Sequence, residues 1–233
     1  MSGILYGVGL GPGDPELMTV KSSRLISDAK VIAYPSLAGG ESFARSIAAD
    51  LISSQAEEIV MDVPMTVERA PAQAAYDIGA KSIAATLDRG DDVICLCEGD
   101  PFFYGSFMYL YARLATDYQV EVVPGVTSIT ACAARAGMPL AARNERLTVL
   151  PGPLPAKELR ARIEGAESVV IMKVGRHLPK IRAVIEQLGL TGKASYIERA
   201  SLPDELVCPL AEAPETAPYF SMIILTKGAD PWL

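Results

Sequence analysis

The sequence is poor in the side chains from which most metal and covalent catalytic sites are built. It holds one histidine, four cysteines and one tryptophan in 233 residues. His177 has no second histidine nearby, and Cys95, Cys97, Cys132 and Cys208 form no C-x-x-C pair, so metal and disulfide frameworks have little to stand on and no metal is expected. No run approaches the ~20 apolar residues a bilayer crossing needs. The N-terminus lacks the basic and apolar stretches of a secretion signal, so the expected location is the cytoplasm, without a membrane partner. Positive charge is scarce too: 21 Lys and Arg against 28 Asp and Glu leave a net charge of −7. Nucleic acid is therefore not expected as a partner, because phosphate binding needs basic residues clustered on one face. Low-complexity tracts and internal repeats are missing as well.

What is present is a large apolar fraction, 50% of the residues, enough for a substantial core in one large domain or two modest ones. The chain opens Ile4-Leu5-Tyr6-Gly7-Val8-Gly9-Leu10-Gly11-Pro12-Gly13-Asp14-Pro15, an apolar strand running into a stiff glycine-proline bend. Each glycine removes a Cβ and permits positive φ, while Pro12 fixes φ and deletes an N–H. Asp14 before Pro15 is the favoured order of cap and first helical residue, so a helix is expected to start there. The bend resembles a dinucleotide fingerprint, yet its glycines fall at 9, 11 and 13. The next strand ends Ala33-Tyr34-Pro35-Ser36, with no acid to hold a ribose.

Apolar strand-like runs then alternate with helical patterns. Strands are expected at Lys30–Tyr34, Glu58–Val63, Asp92–Cys97 and Val120–Val123. Helical faces fall at Met18, Ser22, Leu25 and Ala29, at Phe43, Ile47 and Leu51, at Ala80, Ile83, Ala84 and Leu87, and at Phe107, Leu110, Tyr111 and Leu114. The alternation predicts an α/β fold with a parallel sheet. Cys95 and Cys97, two residues apart on a strand, read as small buried hydrophobes. Past Val123 the composition changes, and a domain boundary is expected at 124/125, giving an N-terminal α/β domain (1–124) and a smaller mixed α/β domain (125–233). In the second, helices are expected at Ala131–Ala134, Leu159–Ala166 and Leu178–Leu188, with strands at Ser168–Met172, Ala194–Glu198 and Phe220–Thr226. Cys208 falls in a stretch read as loop.

Four strand ends carry unusual bends: Gly11-Pro12-Gly13-Asp14, Glu98-Gly99-Asp100-Pro101, Pro124-Gly125-Val126-Thr127-Ser128 and Met172-Lys173-Val174-Gly175. Ligands of open α/β sheets sit at the carboxyl ends of strands, so bends in corresponding positions point to a shared crevice. Basic residues that could serve an anionic substrate are Arg135, Arg143 and Arg146, with Arg69, Lys173, Arg176 and Arg199.

These ordered motifs, together with Cys97-Glu98-Gly99-Asp100-Pro101-Phe102-Phe103-Tyr104-Gly105-Ser106 and the last strand Met222–Thr226, resemble the tetrapyrrole methylases over essentially the whole chain. These S-adenosylmethionine enzymes methylate precorrins and uroporphyrinogen III. Within the family, the Glu-Gly-Asp-Pro-Phe-Phe-Tyr-Gly-Ser phrase and the opening segment look like the branch that methylates C20 of precorrin-2 on the way to cobalamin. The resemblance implies a homodimer of two-domain chains with the cofactor, S-adenosyl-L-methionine, held in a cleft between the domains, and a tetrapyrrole as substrate. It also implies that Pro12, Gly99, Asp100, Phe103, Thr127, Ser128, Met172 and Ala200 touch that cofactor. One departure stands out: several uroporphyrinogen methylases carry an acid in a Tyr-Asp pair after the second strand, where this chain has Tyr34-Pro35.

A sulfonium methyl donor arrives activated, so such a protein supplies placement and electrostatics, and the sequence offers no nucleophilic triad that would say otherwise. A polycarboxylate tetrapyrrole needs converging arginines, for which Arg143 and Arg146 lead. The acceptor of the proton leaving the methylated carbon is open among Glu98, Asp100, Tyr104 and water. Alternatives within the family are cobalt-precorrin-2 or cobalt-factor II, another ring position, or uroporphyrinogen III. RNA, the substrate of a distant branch, sits badly with the acidic balance. A noncatalytic nucleotide-binding module is the reading from a different class.

Overall fold

A computed structural model of the chain describes residues 2–37, 40–64 and 68–228. The chain divides into two compact units, Met1–Thr127 and Ser128–Leu233.

The N-terminal unit is built on five strands, β1 (Leu5–Gly9), β2 (Val31–Ser36), β3 (Glu57–Asp62), β4 (Val93–Cys97) and β5 (Val120–Val123), in the spatial order β3-β2-β4-β1-β5. All pairings are parallel. Parallel sheets bury both faces, which is why β4, Val-Ile-Cys-Leu-Cys, is apolar and buried throughout. On one face, Tyr76, Ala80, Ile83 and Leu87 of α3 (Arg69–Asp88) and Phe107, Leu110 and Leu114 of α4 (Phe107–Leu114) cover Leu5, Ile59, Cys95 and Cys97. On the other, Ile26 of α1 (Val20–Ser27) and Ala44 and Ile47 of α2 (Phe43–Ile47) cover Val8, Ile32, Tyr34, Ile94 and Leu96. Gly7 is small because Phe107 lies on the strand: a Cβ there would meet its ring at 2.3 Å.

The C-terminal unit is a mixed sheet in the order β6-β7-β10-β8-β9, with β6 (Leu147–Pro151), β7 (Ser168–Met172), β8 (Ala194–Glu198), β9 (Leu206–Pro209) and β10 (Ser221–Thr226). β6 and β7 are parallel, β10 runs antiparallel to both β7 and β8, and β9 is antiparallel to β8. Leu159 and Ile163 of α6 (Ala156–Glu164) and Leu178, Ile181 and Ile185 of α7 (Leu178–Gln187) pack on one face. On the other, Ile129, Cys132 and Ala133 of α5 (Ser128–Ala136) meet Val170, Met172, Ile197 and Met222.

Several expectations need amending. β6 and β9 were not foreseen, and Cys208 lies on β9 rather than in a loop. Both are half-exposed outer strands ending in proline, so they carry neither a continuous apolar run nor a clean alternation. Asp14 does cap, its Oδ1 accepting the Glu16 N–H at 2.9 Å, but the element is a single 3₁₀ turn, Pro15–Leu17. The α-helix proper begins after Thr19, whose hydroxyl accepts from the Ser22 N–H at 3.1 Å. β2 continues two residues beyond Tyr34 despite Pro35, which has no N–H to give, and its pairing to β4 is confined to Ile32 and Ala33.

Candidate functional site

The carboxyl ends of β4, β1 and β5 are neighbours, and the bends leaving them are locked together through backbone. Gly11 and Gly99 form an antiparallel bridge, the Gly99 N–H donating to Gly11 O at 2.7 Å and the Gly11 N–H to Gly99 O at 3.3 Å. A Cβ on Gly125 would stand 2.0 Å from Gly99 O and 2.9 Å from the Gly9 Cα. Only glycine allows three main chains to converge this closely. Ser22 Oγ completes the arrangement from α1, donating to Gly9 O at 2.9 Å in a buried bond.

Asp100 is the side chain that ties the bends. One carboxylate oxygen accepts the Phe102 N–H at 2.9 Å and the other the Gly125 N–H at 3.1 Å, joining the loop after β4 to the loop after β5. Its side chain thus links the two loops, a connection that residue type alone could not disclose. Gly99 has φ 63° and nothing within 4 Å of where a Cβ would stand, so its free side faces open space. Pro12 is half-buried, Phe103 is exposed, and the Phe103 ring meets that of Tyr104 edge-on at 5.2 Å. Glu98, the first residue after β4, is exposed at the surface, yet the neighbouring atoms crowded around its carboxyl desolvate it and raise its pKa despite the facing N–H groups of Glu98 itself and Ala44.

In the C-terminal unit, Met172 and Ala200 lie on the same face of the sheet at the carboxyl edge of β7 and β8, 9% and 8% exposed. Met222 of β10 is the cross-strand partner of both Met172 and Ile197. Ser128 begins α5, which packs on that face, directly after Thr127 in sequence. The loop after β8 is held by Glu205, whose carboxylate accepts the Ser201 N–H and Arg135 Nε, both at 2.6 Å. Arg135, expected among the substrate-binding residues, is engaged by Glu205, and a pair 70 residues apart leaves no local signal.

Backbone strain marks these edges. Among the described residues, five other than glycine have positive φ: Tyr104 (57°), Arg143 (49°), Lys173 (57°), Arg199 (49°) and Ser201 (69°). All but Arg143 follow the carboxyl ends of β4, β7 or β8. Each costs on the order of 1–3 kcal/mol, and such residues concentrate where ligands are held.

The leading arginines fare differently. Arg146 precedes β6, where Nε and Nη2 donate to Glu167 at 3.1 and 2.8 Å. That pair closes the amino edge of β6 and β7, and at ~3.3 Å per residue the strand's length separates it from Met172. The structure therefore does not bring Arg146 to the edge that carries Met172 and Ala200. Arg143 is exposed in the preceding loop, and Arg199 pairs with Asp204 at 3.1 Å. Cys97 and Cys132 are unsuited to nucleophilic work: the neighbouring Cys95 thiol and burial hold Cys97 well above the ordinary thiol range, and burial pushes Cys132 up to about 12.

Comparison with known proteins agrees with these features. The precorrin-2 C(20)-methyltransferase of Sinorhizobium sp is 41% identical, covering 99% of both chains. The cobalt-precorrin-2 C(20)-methyltransferase of Salmonella typhimurium is 33% identical, covering 97% of this chain and 98% of that one. The CobIJ protein of Mycobacterium bovis is 43% identical over 97% of this chain, which spans about half, 46%, of that longer protein. Among solved structures, a uroporphyrin-III C-methyl transferase of Thermus thermophilus, crystallised with S-adenyl homocysteine, superposes with a TM-score of 0.69 at 26% identity, covering 97% and 92% of the two chains. A cobalt precorrin-4 methyltransferase shares the fold, with a TM-score of 0.73 at 23% identity over 98% and 96%. The profile of the Tetrapyrrole (Corrin/Porphyrin) Methylases matches residues 4–214, and the chain belongs to that family.

Proposed function

We propose that the protein is an S-adenosylmethionine-dependent C-methyltransferase that methylates C20 of precorrin-2 to give precorrin-3A in cobalamin biosynthesis. The observation that carries this reading is the end-to-end similarity to a precorrin-2 C(20)-methyltransferase, 41% over 99% of each chain. The residues present fit the donor: the open side of Gly99 is room that any Cβ would fill, in the loop where Tyr104 holds a left-handed φ of 57°. In the N-terminal unit, Pro12, Gly99, Phe103 and Thr127 are the proposed contacts, with Asp100 holding the loops that present them. In the C-terminal unit they are Ser128, Met172 and Ala200, the last two offering apolar surface suited to an adenine face.

The bound donor supplies a methyl group already activated as an electrophile. The chain's contribution is to hold the acceptor carbon in line with it, and orientation of this kind accounts for ~7–11 kcal/mol of barrier in well-aligned systems. Locked main chain at β1, β4 and β5 suits that task, since a site that flexes loses alignment. Arg143 is the proposed partner of substrate carboxylates. Incubating the protein with precorrin-2 and methyl-labelled S-adenosylmethionine, with and without cobalt, and locating the label by NMR tests the reading; no label at C20 refutes it. The 33% identity to a cobalt-precorrin-2 enzyme favours a second reading in which cobalt is already present, and the two incubations separate them.

The proposal extends to a cytoplasmic homodimer. All four cysteines are free thiols, in keeping with a reducing compartment. Phe102 and Tyr111, 49% and 40% exposed, meet edge-on at 5.1 Å, and Tyr109, 51% exposed, packs against Tyr76 at 5.2 Å; these exposed rings on α4 and the loop before it are the surface proposed to meet a second copy. Sedimentation of the wild type against Tyr109→Glu reads out whether that surface is buried in a dimer.

A further inference from the structure

Three groups compete for the proton that leaves C20, and their surroundings differ. Both oxygens of Asp100 are occupied with the N–H groups of Phe102 and Gly125. Tyr104 is a phenol, a weaker proton acceptor than a carboxylate, packed edge-on against Phe103 at 5.2 Å. Glu98 alone presents a carboxylate that no ion pair or side-chain hydrogen bond engages among the described residues.

Its position follows from strand alternation. Ile94 and Leu96 face α1 and α2 while Cys95 and Cys97 face α3 and α4, so Glu98, the next residue, projects towards α2 and meets the Ala44 N–H. Continuing the β2–β4 register from Ala33↔Cys95 sets Glu98 beside Ser36, past Pro35, where β2 itself offers no acid. The titratable and charged groups on β2, α2, β3 and β4 are Tyr34 of β2, Arg45 of α2 and Glu58 of β3, then Glu57 and Asp62 of β3, the latter in register with Ser36, and Cys95 and Cys97 of β4. The first three are committed to one another: Arg45 Nε and Nη2 donate to Glu58 at 2.8 Å each, and the Tyr34 hydroxyl donates to Glu58 as well. This leaves Glu98 without a counter-ion and next to the Gly99 bend, with open surface for a substrate.

We propose that Glu98 is the catalytic base that takes the C20 proton. The inference rests on the C20 methylation proposed above. The C20–CH₃ bond forms as the methyl–sulfur bond breaks, the sulfur keeping that bond's electron pair and the macrocycle taking the positive charge. The C20–H bond then breaks, its electrons return to the macrocycle, and the proton passes to the Glu98 carboxylate.

The test uses Glu98→Gln and Glu98→Asp with precorrin-2 carrying deuterium at C20. The expected result for Glu98→Gln is a fall in kcat on the order of 10²-fold or more, with KM and S-adenosylmethionine affinity within about twofold, and a primary isotope effect on turnover. In the wild type, kcat rises with pH through the ionisation of the group, and a ¹³C NMR titration of the ligand-free protein places the Glu98 carboxyl above the ordinary glutamate range. The rising limb vanishes in Glu98→Gln and persists at reduced kcat in Glu98→Asp, which also decides the matter if the glutamine variant does not fold. An unchanged kcat with the limb intact in either variant overturns the proposal. Wild-type protein that places no methyl at C20 overturns instead the reading beneath it, and this base with it.

Discussion

Replacing Gly125 with alanine adds one methyl group where three main chains meet. Its Cβ would lie 2.0 Å from Gly99 O and 2.9 Å from the Gly9 Cα, the first about 1.5 Å short of the ~3.5 Å at which dispersion contacts are favourable. The three nearest atoms are all backbone, so no side chain there can swing aside, and β1 must part from the loops that flank it. Overpacking of this sort costs ~1–3 kcal/mol, and loosening the Gly125 N–H bond to Asp100 adds about 1 kcal/mol. At a few °C per kcal/mol, melting of the N-terminal unit should drop by roughly 10 °C in scanning calorimetry. Gly99→Ala provides the contrast. Its Cβ enters open space, and the cost is the left-handed φ of 63°, ~1–2 kcal/mol, partly offset by a stiffer unfolded chain. Gly99→Ala should therefore melt closer to wild type yet lose S-adenosylmethionine affinity by about tenfold in titration calorimetry, since its methyl occupies the proposed donor space. Gly192→Ala, with no neighbour in range, should change neither within ~0.5 kcal/mol. If Gly125→Ala melts no lower than Gly99→Ala, the close approach of the three bends is not what constrains this edge.

Further outcomes follow from the same geometry. Asp100→Asn keeps one acceptor and loses the other, so it should destabilise by ~1–2 kcal/mol and weaken donor binding less than Asp100→Ala, as denaturant titration and calorimetry would report. Arg45 hydrogen-bonded to Glu58 holds that carboxyl down to about 2, so the pair's stabilisation is full above the unfolded pKa of 4.5 and fades as pH falls towards 2. Because the Arg45 side chain is 41% exposed, solvent screening limits it to ~1–2 kcal/mol, and Arg45→Met should flatten the acid limb of stability against pH by that amount. Arg143→Glu should raise the KM for the tetrapyrrole at least severalfold, whereas Arg146→Glu, whose guanidinium serves Glu167 at the opposite edge, should leave it within about twofold. Equal effects of the two would remove the distinction drawn here.

How far the chain could be read in advance depended on the range of the interaction concerned. β4 was legible because a strand buried on both faces must be apolar at every position, and the bends at Gly11, Gly99 and Gly125 were legible because a left-handed φ or a close main-chain approach demands glycine. Outer strands β6 and β9 escaped because half-exposed strands have no such demand. Asp100 was picked out by its neighbours, but that both its oxygens serve the main chain depends on Gly125, 25 residues on. The commitments of Arg146 to Glu167 and of Arg135 to Glu205 were hidden likewise: a charge in sequence gives no sign of the partner that occupies it.

The order of strands in the C-terminal sheet bears on how the chain matures on the ribosome. β10, Ser221–Thr226, is the last of this sheet's strands to be made, yet it occupies the centre, bonded to β7 on one side and β8 on the other. Until it emerges, Ser168–Met172 and Ala194–Glu198 both present unpaired apolar edges, whereas the five strands of the N-terminal sheet are all synthesised by residue 123. A nascent chain stalled or truncated short of residue 221 would thus couple a finished first half to a second with two sticky edges, a state prone to aggregation and in need of chaperone cover.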